Sequence, residues 1–220
     1  MLDVANTRDS VAGVVGWVDL TQPPELVARR LEGLRERPKL CAIRHLVEFE
    51  AADDWLLRAD VLEGLGVLER MDVPYDLLLR PRHLARVPRL SEKLLELDMV
   101  IDHIAKPNIK NGVLDPWRAD IKAAAANPRM MCKLSGMITK ADHESWKPDD
   151  LVFYVGTVVE AFGIDRVMFG SDWPVSTLAG SYEQAHSALR HALSTVQGGL
   201  DLTVEQSVFH DNARRFYGLG

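Results

Sequence analysis

Six short apolar runs, separated by longer amphipathic segments, constrain the fold of this chain more than any other feature. The runs cover residues 13–20, 40–47, 75–80, 99–105, 130–136 and 166–172. Helix-like segments follow them at residues 23–36, 55–71, 87–97, 116–127, 147–162 and 181–196, and a last helix at 203–219 has Thr203 as its candidate cap. This alternation is typical of βα units rather than of all-α or all-β folds.

The strand candidates are apolar on both sides, which predicts a parallel sheet covered by helices. Such a sheet is either open and doubly wound or closed into a (β/α)8 barrel. No Gly-rich phosphate loop follows the first run, and no repeat or low-complexity linker divides the 220 residues. We therefore expect one α/β domain over residues 1–220, and the polar residues that end each run favour the TIM-barrel type.

Charge and cysteine content exclude several classes of partner. The net charge of -6 argues against binding to nucleic acid or to an anionic membrane. Cys41 and Cys132 lie in apolar surroundings and are predicted to be buried free thiols. No apolar stretch reaches the length of a membrane span, and the opening residues lack the pattern of a secretory signal, so we expect a cytoplasmic protein.

The segment RVMFGSDWPV, residues 166–175, places a carboxylate directly after a buried strand. Asp172 follows the apolar residues of that strand and a small-residue turn. A carboxylate at such a position is either a satisfied structural group or a working one. A working carboxylate at such a strand end can take a proton from water.

The segment MVIDHIAKP, residues 99–107, supplies the second candidate, His103. Asp102 and His103 are predicted to be neighbours in a strand, so their side chains should point to opposite faces and cannot share one role. A neutral imidazole facing the barrel interior holds a metal or polarises a carbonyl. The alternative is a core histidine bonded to backbone. The sequence places four other histidines on the surface or in packing positions, namely His143, His186, His191 and His210.

Arg44, Lys133 and Trp146 are the candidates for substrate binding. Arg44 lies near the end of the second run, and its planar guanidinium can form two hydrogen bonds to an anionic or carbonyl group. The alternative is a structural ion pair with Glu48. Lys133, like Lys106, either grips substrate in the same way or extends its charged end to solvent. Trp146 lies in a polar loop, where it either stacks on a sugar ring or anchors the loop.

Taken together, the motifs resemble those of the amidohydrolase-related family, in its sugar lactonase branch. The motifs are GVVGWVDL, IRHLVEFE, PYDLLLRPRHL, MVIDHIAKP, CKLSGMIT, MFGSDWPV and NARRFYGL, spread from about Gly13 to Leu219. That branch includes L-fuconolactonase, L-rhamnono-lactonase-like enzymes and 2-pyrone-4,6-dicarboxylate hydrolase.

The resemblance implies a (β/α)8 barrel that hydrolyses a small cyclic ester. It implies that Asp172 is the general base, that His103 binds metal or steadies the carbonyl, and that Arg44 lines the pocket. It also implies either no required cofactor or one divalent, zinc-like metal, in which case His103 and Asp172 are the ligands. The expected partner is a small lactone, and sugar-acid lactones are favoured over pyrone dicarboxylates because no arginine cluster is visible in the sequence.

The chain departs from the family pattern in two ways. It has no His-x-His pair, and it offers six strand candidates where the barrel requires eight. The shortfall, roughly two βα units or about 60 residues, predicts unpaired sheet edges and hence self-association into a homo-oligomer, rearrangement or instability. We expect a shortened gene product. Two alternatives to a lactonase are a catalytically silent truncated fragment or pseudoenzyme and a metal-dependent amidohydrolase or decarboxylase.

Overall fold

Six parallel strands form a half-barrel in the computed structural model, which describes residues 1–220. The strands follow one another across the sheet in chain order, so every neighbouring pair is connected by a helical crossover. They are β1 Val14–Gly16, β2 Leu40–His45, β3 Tyr75–Leu77, β4 Met99–Ile101, β5 Met130–Leu134 and β6 Val167–Phe169. The predicted α/β architecture with six strands is confirmed, and β1 and β6 are its two edges.

Ten α-helices accompany the sheet. They are α1 Leu2–Asn6, α2 Pro24–Arg35, α3 Ala59–Arg70, α4 Pro81–Leu84, α5 Val87–Lys93, α6 Trp117–Ala124, α7 Asp149–Phe162, α8 Tyr182–Gln197, α9 Leu202–Gln206 and α10 Asn212–Tyr217. None of them combines the length and the apolar character needed to cross a membrane.

The helices predicted at residues 23–36, 116–127, 147–162 and 181–196 are confirmed to within a few residues. The last predicted helix is interrupted by a π-helical turn, Ser207–Asp211, between α9 and α10. Its cap is Asp201, whose side chain accepts from the Val204 amide at 2.9 Å, so the prediction of Thr203 was wrong. A carboxylate two residues earlier reaches the free amide of the first turn, which Thr203, already inside the helix, does not.

The outer face of the sheet carries the main core. Forty-eight buried residues form one cluster between the strands and the surrounding helices. Strand residues with outward side chains, such as Tyr75, Leu77 and Cys132, belong to it. Both cysteines are free thiols, as predicted. Cys132 is buried, as predicted, whereas Cys41 is only partly buried.

The inner face of the half-barrel has an apolar layer and a charged layer. Val100, Met131 and Met168 form a small cluster that is packed against Phe216 and Tyr217, at the end of α10. Two residues beyond Val100 and Met131, the inward side chains are Asp102, just past the end of β4, and Lys133 on β5. The last helix thus closes the amino-terminal side of the half-barrel, while charged groups face the carboxyl-terminal side.

Candidate active site

His103, Ser135 and Asp172 meet at the carboxyl ends of β4, β5 and β6. His103 Nδ1 lies 2.7 Å from Ser135 Oγ, and its Nε2 lies 3.5 Å from Asp172 Oδ1. The side chains of His103 and Asp172 are 12% and 13% exposed, so both are largely shielded and still accessible. The structure brings together the two groups that the sequence singled out as acid-base candidates. Sequence reasoning noted Ser135 only as a polar strand end and assigned it no role.

The turn that carries His103 is left-handed. The strand β4 ends at Ile101, and the four residues from His103 to Lys106 have φ values of +53°, +46°, +57° and +56°. Asp172 has a φ of +54°. Non-glycine residues adopt this region at a cost of roughly 1–2 kcal/mol each, and such strain is concentrated at functional sites.

This turn corrects the expectation that Asp102 and His103 point to opposite faces. Alternation holds only inside a strand, and neither residue lies in one. Asp102 points into the charged layer of the half-barrel, while His103 turns to the rim above it and contacts Ser135 and Asp172. The two side chains therefore serve the same end of the sheet at different depths.

Gly136 provides the space that the imidazole occupies. A Cβ added at Gly136 would lie 2.9 Å from His103 Nδ1 and 3.0 Å from His103 Cβ. Gly136 also has a φ of +63°, which favours glycine on its own account. The small residue after Ser135 is thus required both by the backbone and by the neighbouring ring.

The His103 imidazole is kept neutral. Burial lowers the pKa of His103 below its usual value, and Lys106 and Lys133 reinforce this, although Asp102 and Asp172 oppose it. A neutral ring carries one N–H donor and one acceptor nitrogen. When the Ser135 hydroxyl donates to Nδ1, the Nε2 atom carries the hydrogen and directs it toward Asp172 and the space beside it.

Beneath the rim lies a buried network of charged groups. Lys133 Nζ lies 2.6 Å from Asp76 Oδ2 and 2.7 Å from Asp102 Oδ1, and both carboxylates are fully buried. Arg44 Nη1 donates to Asp102 Oδ2 at 3.2 Å, and the Tyr217 hydroxyl donates to both oxygens of Asp76 at 3.0 Å. The C-terminal helix is therefore bonded to the centre of the sheet.

The pKa values follow this geometry. Burial raises the pKa of Asp76 to about 6, against the opposing effect of Lys133. Burial also raises the pKa of Asp102, but the positive charges of Lys133 and Arg44 oppose it, and the pKa lies below its usual value. Asp76 interrupts the apolar run YDLLLR, and a charged residue in such a strand is the signal by which sequence reasoning could have found this network.

Two of the predicted substrate-binding groups have partners inside the protein. Arg44 is paired with Asp102 rather than with the expected Glu48, because Arg44 on β2 and Asp102 just after β4 both point to the inner face of the sheet. Its side chain remains 38% exposed, so part of the guanidinium is open to a ligand. Lys133 is only 15% exposed and lies between two carboxylates, which leaves its charge neutralised.

Trp146 lies away from this group. Its indole N–H donates to the Ala179 carbonyl at 2.8 Å, and its ring packs against the main core. It lines a surface cleft with His143 and His191, which shares no residue with the site at His103. These contacts match the loop-anchor alternative, and a role in sugar stacking stays a prediction.

The four remaining histidine candidates lie where the sequence placed them. His186 packs against Phe169 and Phe209, and the other three are exposed, each with at least one hydrogen-bond partner in the protein.

The donor set does not complete a zinc site. Zinc is held in proteins by three or four ligands, typically His, Cys, Asp or Glu. His103 and Asp172 supply two, and no three such side chains of the chain lie close enough together to hold an ion.

Comparison with known proteins places this geometry in a family. Residues 1–219 match the amidohydrolase family. The chain is 36% identical over 221 residues to an L-fucono-1,5-lactonase of Burkholderia ambifaria, an alignment that covers 99% of this chain and 74% of that protein. An L-fucono-1,5-lactonase of Burkholderia multivorans is 33% identical over 233 residues, with 100% of this chain and 75% of that protein covered.

Solved structures agree. A crystal structure of an amidohydrolase from Burkholderia multivorans with bound zinc superposes with a TM-score of 0.91 at 33% identity, covering 100% of this chain and 78% of that one. A probable 2-pyrone-4,6-dicarboxylic acid hydrolase from Acinetobacter baumannii superposes with a TM-score of 0.79 at 20% identity over 100% of this chain and 78% of that one, a likeness of fold alone. The family match and the relatives above 30% identity show that this chain belongs to the amidohydrolase family.

Proposed function

We propose that this protein is a hydrolase that opens a small sugar-acid lactone, such as L-fucono-1,5-lactone or L-rhamnono-lactone. The observation that carries the proposal is the pairing of Asp172 with His103, 3.5 Å apart at the carboxyl ends of β6 and β4. Catalytic groups of (β/α) barrels gather at that end of the strands. Similarity to two L-fucono-1,5-lactonases supports the choice of a lactone.

Asp172 acts as the general base in this mechanism. Its carboxylate accepts a proton from a water molecule, and the resulting hydroxide adds to the lactone carbonyl carbon. The tetrahedral intermediate then collapses, the bond from the carbonyl carbon to the ring oxygen breaks, and the ring oxygen takes the proton back from Asp172. The product is the open-chain hydroxy acid, and Asp172 returns to its ionised form.

His103 stabilises the oxyanion of the intermediate. Its neutral ring, fixed by Ser135 at Nδ1, presents Nε2 toward the space beside Asp172. A preorganised N–H donor that faces developing negative charge is worth more in a shielded site than in water. The part of the Arg44 guanidinium that Asp102 does not occupy supplies further donors at the same end of the sheet.

The test is the variant Asp172→Asn, assayed with L-fucono-1,5-lactone and L-rhamnono-lactone by the acid that ring opening releases. We expect kcat to fall at least about 100-fold, because the amide cannot accept the proton. The matched control is Asp165→Asn, an exposed aspartate before the same strand, which should retain the wild-type rate. Unchanged turnover in Asp172→Asn, or no turnover of either lactone by the wild type, would contradict the proposal.

A further inference from the structure

We propose that a basic cleft beside the active site binds the carboxylate of the ring-opened acid through Lys140 and Lys106, with Arg80, which contacts Glu48, adding positive charge behind them. The existence of an anion site rests on the geometry of the cleft, whereas the identity of the anion as the ring-opened acid rests on the proposed function.

The cleft is polar and large enough for a small organic acid. It has a volume of about 650 Å³, and only one of its ten lining residues is hydrophobic. Lys106, Lys110 and Lys140 contribute three ammonium groups to its walls. Lys110 is paired with Asp142 at 2.9 Å, so its charge is already balanced.

The remaining basic groups exceed the carboxylates near them. Glu48 is the shared partner of Lys106, at 2.7 Å, and of Arg80, at 3.8 Å. Glu48 and Lys106 are 11% and 16% exposed, so this pair is held in a fixed position rather than mobile in solvent. One carboxylate thus serves two cations, and Lys140 adds a third. Glu144 also lines the cleft, so the cations exceed the carboxylates by one.

Lys140 has no carboxylate partner within ion-pair distance, although its side chain is partly buried. Burial lowers the pKa of Lys140, and repulsion from Lys106 and Arg80 adds to this, while Glu48 and Asp172 oppose it. Partly buried cations without partners are costly, and an incoming anion removes that cost. The ammonium group of Lys140 is therefore available to pair with a negatively charged ligand.

The position of the cleft suits the product rather than the substrate. Lys106 is the last residue of the left-handed turn that begins at His103. The first residue of the turn therefore lies in the active site, and the last lies in the wall of the cleft. The lactone is neutral, whereas its hydrolysis creates a carboxylate next to the ionised Asp172. Repulsion by Asp172 and attraction by the basic groups draw this new charge into the cleft and away from the reacting atoms.

Binding of L-fuconate to the full chain, measured by calorimetry with L-fucose as the neutral comparison, tests the proposal. We expect L-fuconate to bind and L-fucose to bind at least about tenfold more weakly, since only the acid carries the charge. The variant Lys140→Met should weaken L-fuconate binding by about tenfold. The control Lys147→Met, an exposed lysine outside the cleft, should bind as the wild type does.

Equal binding of L-fuconate and L-fucose, or wild-type affinity for L-fuconate in a folded Lys140→Met variant, would contradict the proposed anion site. Because this experiment measures binding and not turnover, its failure is distinguishable from that of the proposed function. L-fuconate binding that depends on Lys140, in a protein that hydrolyses no lactone, would leave the anion site standing and overturn only the assignment of its ligand as a product.

Discussion

At the scale of single residues, the site depends on backbone conformations that most side chains avoid. His103, Lys106 and Asp172 all have positive φ values, and none of them is glycine. The surrounding structure must stabilise these conformations, since each is unfavourable alone. Because of the left-handed turn after β4, the His103 side chain does not follow the alternating pattern of the strand and contacts Ser135 and Asp172 instead.

Gly136→Ala tests how closely His103 is positioned. The new Cβ would lie 2.9 Å from His103 Nδ1, so the ring has to move away from Ser135 and Asp172. We expect a loss of about 1–2 kcal/mol in the free energy of unfolding from the positive φ, and at least a tenfold fall in kcat/KM for the lactone. Urea denaturation and steady-state kinetics measure the two effects.

Gly112→Ala is the matched control for this substitution. Gly112 also has a φ of +63°, but a Cβ there meets nothing within 4 Å. It should therefore show the same loss of stability with the wild-type kcat/KM. Equal kinetic effects in the two variants would show that strain alone, and not displacement of His103, reduces activity.

At the scale of elements, the inner face of the sheet is stabilised by a network of opposite charges. Lys133 on β5 bridges Asp76 on β3 and Asp102 after β4, and Tyr217 connects α10 to Asp76. Buried ion pairs give little net stability when complete, but removal of one member leaves an unpaired buried charge. The network thus couples three strands and the C-terminal helix.

Lys133→Met should lower the free energy of unfolding at pH 7.5 by about 3–5 kcal/mol. In the wild type, Lys133 holds the pKa of Asp102 below its usual value, so the stability from Asp102 is present above about pH 4 and is lost as the pH falls. In the variant, the pKa of Asp76, already raised by burial in the wild type, rises further, and burial raises the pKa of Asp102 as well, so the folded chain binds protons more tightly than the unfolded chain. Its stability then rises as the pH falls.

The stability difference between wild type and Lys133→Met is therefore expected to narrow from pH 7.5 to pH 5.5, as measured by urea denaturation at both values. Lys122→Met, which removes only an exposed pair with Glu160, should stay within about 0.5 kcal/mol of the wild type at either pH. A difference that widens at pH 5.5 would contradict the assigned role of Lys133.

At the scale of the whole molecule, the half-barrel has two open edges. The strands β1 and β6 each have a neighbour on one side only, and exposed aromatic side chains lie at their ends, with Trp17 55% and Trp173 65% exposed. Unpaired strand edges and exposed apolar groups favour association with another chain. These features support the prediction of a homo-oligomer.

Light scattering during size-exclusion chromatography should give a mass above the 24.6 kDa of one chain, rising with concentration. Trp17→Lys places a charge at the end of the β1 edge and should shift the distribution toward the monomer. Leu202→Lys, at a residue 84% exposed on α9, serves as the control and should leave the distribution unchanged. A wild-type protein of 24.6 kDa at every concentration would contradict the prediction.

Much of the fold could be predicted from the sequence because buried positions carry apolar residues in a pattern that is typical of strands or helices. The six apolar runs and the longest amphipathic helices predicted the strands and four of the helices to within a few residues. The runs overshot the strands because apolar residues recur after the strand ends, such as Ile104 and Ala105 after Ile101, where the backbone has already turned away from the sheet. No comparable pattern in the sequence predicted the π-helical turn, Ser207–Asp211, that interrupts the last helix.

The sequence by itself determined the chain of βα units, the parallel sheet and the nomination of His103 and Asp172, since each depends on local pattern and on residues at strand ends. Only the tertiary structure decided which groups share a site. It paired Arg44 with Asp102, neutralised Lys133 between two carboxylates and gathered the basic residues around Glu48. The physical reason is that hydrogen bonds and ion pairs act over a few ångströms in space, whereas their members here are separated by many residues along the chain.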